Sequence, residues 1–202
     1  MSTIDRQKDI ATGVMEALEI VDPFCILAGG APMDWYRGEL ANDLDIYFYA
    51  GGDHKQTWIV NKQLEKVLGE CFSGRDEKCF EDRDNDEMYR HMKFIKRIIN
   101  LQIRGMSVQL IEMLEPTHKS VVPQFASDAV KCWWKPGFDK PKGTDEFYLC
   151  HATKSFTICN SYSRENLYIQ KLEKKLKPFR YNVTREDQLK SMALRKYVRG
   201  LK

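Results

Sequence analysis

Residues 25–49, CILAGGAPMDWYRGELANDLDIYFY, decide how the rest of the chain is read. The apolar run Cys25 to Ala28 stops at the paired glycines Gly29 and Gly30, the pattern of a short buried strand running into a turn. Ala31 to Gly38 follows, with Met33, Trp35 and Tyr36 as apolar and aromatic members and a glycine where a short helix would end. The next run, Asp43 to Tyr49, alternates from its first residue. Asp43 and Asp45 therefore project to one side of a strand, and Leu44 and Ile46 to the other.

Two carboxylates on one strand face, with no Lys or Arg between them, repel each other unless a cation sits between them. Mg²⁺ suits that place, since it takes hard oxygen ligands and is commonly held by one or two carboxylates together with substrate phosphates. The glycine pair supplies the other half of such a site. Without Cβ atoms the backbone can approach a ligand closely and direct N–H groups at phosphate oxygens, and a helix N-terminus adds a favourable dipole. Strand, Gly-Gly turn, short helix and a strand carrying D-x-D thus read as a site for a nucleoside triphosphate and a metal ion.

The same residues resemble a known family. Gly29-Gly30-Ala31-Pro32-Met33-Asp34, then Gly38, then Asp43-Leu44-Asp45, is similar to the head-domain signature GGxxRDxxxGxxxxDxD of the tRNA CCA-adding and poly(A) polymerase group, within the DNA polymerase β-like nucleotidyltransferase superfamily. The match runs over 17 consecutive positions without a gap, with Met33 where the family has arginine. The resemblance implies an α+β fold: a polymerase β-like core, with a mixed sheet and helices on one face, followed by a helical C-terminal segment. It also implies that Asp43 and Asp45 are the catalytic, metal-holding residues. Gly29, Gly30 and Ala31 would lie against the nucleotide phosphates, and Asp34 would orient the helix or a ribose.

Length and composition agree with a globular protein. At 202 residues the chain can bury one full core, and its 43% hydrophobic and 30% charged residues are ordinary. No run of about 18 apolar residues occurs and Met1 to Asp9 lacks the apolar core of a secretory signal, so no membrane partner and a cytoplasmic location are expected. Six scattered cysteines without a C-x-x-C pair read as reduced thiols, with Cys25, Cys132 and Cys150 inside apolar runs. None of His54, His91, His118 and His151 stands at a zinc-ligand spacing from a cysteine. The net charge of +3 is unevenly spread: Arg164 to Lys202 holds twelve Lys or Arg against four acidic residues, an excess of eight, which leaves the remainder at −5. Such a tail reads either as a grip for a polyanion such as RNA or tRNA, or as a solvated helix face.

Along the chain, residues 5–20 place Ile10, Val14, Leu18 and Ile20 at helical spacing, and Gln56 to Leu68 carries a second apolar stripe. Residues 69–90 are strongly charged and read as a surface loop or short edge hairpin; the acidic run 82–87 lacks the glycine of a calcium-binding loop. Met92–Ile103 and Ser107–Met113 read as strands joined at Arg104-Gly105-Met106. The resemblance implies a third metal carboxylate on the later strand, but the matching position is Gln109. Either two aspartates suffice, or Glu112 helps from the strand end, or the metal site is weakened.

After Pro116 the expected elements are a helix at Thr117–Phe125, a strand at Ala129–Trp134, a loop at Lys135–Gly143 and a helix over His151–Cys159. Two terminal helices follow, one over Leu167–Leu176 and one starting near Thr184. This order also resembles small stand-alone, in some cases phage-encoded, nucleotidyltransferases. The longer CCA-adding enzymes carry a further Arg-Arg-Asp element and neck and body domains that are not visible here. The division expected is therefore a nucleotidyltransferase core at 1–115 and a basic, mostly helical extension at 116–202 packed on it. The function expected is Mg²⁺-dependent transfer of NMP from an NTP to a hydroxyl acceptor, an RNA or tRNA 3′ end. The alternatives are a catalytically degenerate fold serving as an RNA- or protein-binding module, and an AMP-transferring modifier of a protein or small molecule.

Overall fold

The computed structural model describes residues 3–51, 81–82, 95–116, 121–159, 165–177 and 179–181. Its elements in chain order are α1 (Thr3–Glu19), β1 (Ile26–Ala28), α2 (Gly30–Tyr36), β2 (Asp43–Phe48), β3 (Glu81–Asp82), β4 (Ile95–Ile103), β5 (Met106–Met113), β6 (Cys132–Trp134), β7 (Lys142–Gly143), α3 (Asp145–Thr153), β8 (Ser155–Phe156), α4 (Glu165–Lys175) and β9 (Arg180–Tyr181). Single 3₁₀ turns at Val122–Gln124 and Asp128–Val130 lie between β5 and β6. The helix expected at Gln56–Leu68 and the one near Thr184 lie outside the described residues.

Seven strands form one mixed sheet in the order β3-β4-β5-β2-β1-β6-β7. β2 and β5 run parallel, with Asp45 opposite Gln109 and Phe48 opposite Glu112, while the other pairs are antiparallel. The tight β4–β5 connection falls where Gly105 predicts it: Arg104 and Gly105 both adopt positive φ, 51° and 79°, as a two-residue hairpin turn of matching twist requires.

Alternation along the strands splits the interior into two layers. On one side Leu27, Leu44, Ile46, Phe48, Val108 and Leu110 meet the apolar stripe of α1, including Ile10, Val14 and Leu18. On the other, Ile26, Tyr47, Ile111 and Met113 are covered by chain from beyond residue 120, including Phe125, Phe147, Leu172 and Leu176. Gln7 of α1 ties the first layer to α2: its amide accepts from Trp35 Nε1 at 2.9 Å and donates to the Ala41 carbonyl at 2.7 Å.

Beyond residue 116 the structure differs from expectation in detail. The helix placed at Thr117–Phe125 is a 3₁₀ turn at Val122–Gln124 among the described residues, because Pro123 removes a donor. The strand placed at Ala129–Trp134 begins only at Cys132, since Ser127 caps a 3₁₀ turn by accepting from Ala129 N. The helix placed at His151–Cys159 starts six residues earlier, at Asp145, where Thr144 Oγ1 accepts from Phe147 N and Asp145 and Glu146 complement the dipole. It stops at Lys154, whose left-handed φ of 54° turns the chain into β8. The expected boundary near residue 115 is followed by chain that returns to the same sheet, as β6 and β7 beside β1.

Candidate active site

The turn, the short helix and the D-x-D strand converge at the middle of the sheet. Gly29 holds φ 88°, ψ −124°, a conformation that only glycine adopts without strain, and its N–H donates to the Cys132 carbonyl at 3.1 Å. The N–H groups of Gly30 and Ala31 open α2 and have no acceptor within the helix. A Cβ at Gly30 would lie 3.4 Å from Lys175 Nζ, so the space above the turn is shared with a side chain of α4.

Asp43 and Asp45 follow one another on the face of β2 that also carries Tyr47, the face covered by α4. Asp43 at the strand start is exposed, whereas Asp45 Oδ1 is buried with no hydrogen-bond partner. Burial first, and the neighbouring Asp43 second, push the Asp45 carboxyl up to about 7, against the opposing charges of Lys171 and Lys175. Asp34, fully buried in α2, pairs through Oδ2 with Lys175 Nζ at 2.8 Å and leaves Oδ1 without a partner. Burial raises its pKa too, and Lys175 works in the opposite direction.

The other candidates divide. Gln109 is the residue opposite Asp45 on β5 and donates from Nε2 to Asn100 Oδ1 at 2.9 Å, so an amide stands where the family comparison leads one to look for a third carboxylate. Glu112 is not brought to the aspartates. It lies opposite Phe48, on the α1 face of the sheet, and is held by Lys96 at 2.8 Å. Met33, at the position where the signature it resembles has arginine, is completely buried in the second layer. Two residues that the sequence offered only as part of a basic tail, Lys171 and Lys175, turn toward this site. A four-residue spacing of lysines is common on solvated faces, so only the packing of α4 shows where they lie.

Among the described residues no three His, Cys, Asp or Glu side chains converge as a metal cluster. Two carboxylates, one with an orphaned buried oxygen, still suit a hard cation that takes its remaining ligands from substrate phosphate and water. Among the described residues Cys25, Cys132 and Cys150 are buried free thiols and Cys159 is an exposed one. No described helix is long and apolar enough to cross a membrane.

No protein-family model matches the chain, and no curated protein matches it in sequence. Among solved structures it is similar to a tRNA-processing enzyme in an apo form, at 11% identity and a TM-score of 0.60, over 96% of this chain and 48% of that one. It is also similar to the Thermotoga maritima CCA-adding enzyme complexed with tRNA, at 14% identity and a TM-score of 0.54, over 88% of this chain and 41% of that one. The chain thus spans less than half the length of either enzyme. At such identities the likeness is one of fold: a mixed α+β arrangement, with a mixed sheet and helices, that this chain shares with part of each of these two enzymes.

Proposed function

We propose that the protein is a Mg²⁺-dependent nucleotidyltransferase that moves NMP from an NTP to a hydroxyl acceptor at an RNA or tRNA 3′ end. The observation that carries this reading is Asp45, a half-buried carboxylate with one oxygen buried and unpartnered, beside a second carboxylate, on the strand next to the Gly29–Gly30 turn. A carboxylate buried without a partner costs stability, and such a cost marks a site built to receive a cation.

In the reaction the acceptor oxygen forms a bond to the α-phosphorus, the bond from that phosphorus to the bridging oxygen breaks, pyrophosphate leaves, and the hydroxyl proton passes to solvent. Magnesium, when bound, would neutralise charge on the triphosphate and lower the pKa of the attacking hydroxyl. Asp43 and Asp45 would hold it. Gly30 and Ala31 contribute N–H groups toward phosphate oxygen, and Gly29 keeps the turn in the only backbone state that allows this. The exposed Lys171, Lys174 and Lys177, with the further Lys and Arg residues that follow them in the sequence, would supply the charge for a polyanionic acceptor.

The binding-module reading has one observation of its own, the apolar Met33 in place of a cation. Incubation with each labelled NTP, Mg²⁺ and either total RNA or cell protein, followed by gel separation, decides between the readings. Label on RNA supports the proposal. Label on protein moves the acceptor, and nucleotide binding without any labelled product leaves a binding module.

A further inference from the structure

The family signature places a cation on α2, and this chain has none there: Met33 is sealed in the core. The site therefore has three carboxylates, Asp34, Asp43 and Asp45, and would meet a polyanionic triphosphate with metal charge alone unless another element supplies cations. One does. Leu172 of α4 and Leu176 just after it are buried in the layer under the sheet, which turns Lys175 onto Asp34, and Lys171, one turn earlier, is near enough for its charge to act on Asp45. Arg37, just after α2, donates from Nη1 to the Lys175 carbonyl at 3.0 Å and anchors the last turn of α4 against α2.

Lys175 Nζ sits 2.8 Å from Asp34 Oδ2 and 3.4 Å from where a Gly30 Cβ would be. Its side chain retains 27% exposure, so the ammonium is neither sealed in the core nor free on the surface. An ammonium has three donors and Asp34 takes one, which leaves capacity for phosphate oxygens arriving over the Gly30 turn. Lys171 is exposed one turn earlier.

On the nucleotidyltransferase reading above, we propose that Lys175, oriented by Asp34, and Lys171 are the triphosphate-binding cations of this site, supplied by α4 in place of the missing cation on α2. The substrate class is a nucleoside triphosphate recognised by its β and γ phosphates. Asp34 is then a positioning residue whose task is to aim Lys175 over the turn.

Calorimetric titration of the full chain with ATP and with AMP in Mg²⁺ tests this. Wild type should prefer ATP. Lys175→Met should weaken ATP about tenfold and AMP less than about twofold, and Lys175→Arg should recover most of the loss. Lys171→Met, a change at an exposed side chain on which folding does not depend, should weaken ATP about threefold with AMP unmoved. Equal ATP affinity in wild type and both methionine variants overturns the proposal while leaving nucleotide binding intact. So does a parallel loss of ATP and AMP affinity in Lys175→Met, which makes the Asp34 pair a tether for α4 only. If wild type binds neither nucleotide, the nucleotidyltransferase reading itself fails and takes this assignment with it.

Discussion

Two acids with buried carboxylate oxygens sit on neighbouring strands of one sheet and point in opposite directions. Glu112 faces the α1 layer, is fully enclosed and is answered by Lys96 at 2.8 Å. Asp45 faces the α4 layer and keeps a buried oxygen with no partner. The first is a charge the fold has neutralised, and the second is a charge it has left open. Burial of an acid is therefore a poor pointer to function, whereas burial without satisfaction is a good one.

The sharpest way to break this comparison is to neutralise each acid in turn. Asp45→Asn should lower nucleotide transfer by roughly 10²–10³-fold while the apo protein melts no earlier than wild type at pH 8, since a desolvated charge beside Asp43 is removed. Glu112→Gln should do the reverse. It should cost about 1–3 kcal/mol in denaturant unfolding, below the value for a fully enclosed pair because Lys96 is 21% exposed and can rehydrate. Its Mg²⁺ affinity should match wild type. Turnover at the wild-type level in a folded Asp45→Asn protein would remove the metal assignment.

A smaller effect is expected at Gly30. Its backbone is not in the left-handed region, and an added Cβ meets Lys175 Nζ at 3.4 Å, so valine should intrude on the ligand space more than on the fold. Gly30→Val should raise the KM for NTP about tenfold with a modest loss of melting temperature. A stability loss with unchanged KM would reduce the glycine to a turn-former.

The smallest effect concerns His151, packed on Phe147 and Phe179 at centroid distances of 4.3 and 5.1 Å. Burial lowers its pKa from the ordinary 6.5, the Ala129 carbonyl opposes this, and Arg37 and Lys154 add to the lowering. The folded state thus prefers the neutral ring. The stability this contributes is present above 6.5 and is lost as pH falls through the folded value. Asp34, Asp45 and Asp128, with raised values, act in the opposite sense, so the measurement is a difference: melting temperature from pH 7.5 to 5 in wild type and in His151→Phe. The wild type should lose more on acidification, and parallel curves would show that His151 takes up its proton equally in the folded and unfolded states.

What could be read in advance follows the range of the interactions. A strand's two-residue period placed Asp43 and Asp45 on one face from local residues alone, and Gly105 marked the hairpin. The start of α3 was also written locally, in Thr144 with two acids after it, but the later apolar residues drew the reading downstream. The pairing of β6 with β1 and the turning of Lys175 onto Asp34 join residues about a hundred or more positions apart, and no local pattern encodes them.

The hydrogen bond from Gly29 N–H to the Cys132 carbonyl has a consequence for dissecting the molecule. β6 covers the side of β1 that β2 leaves unpaired. Cutting the chain after residue 115 would strip that cover and leave Ile26 to Ala28 as a bare, wholly apolar sheet edge next to the Gly29–Gly30 turn, a template for pairing with other chains. The fragment carrying the entire nucleotidyltransferase signature would then be the one most prone to stick to itself, and the piece that looks like an appendage would be what keeps it apart.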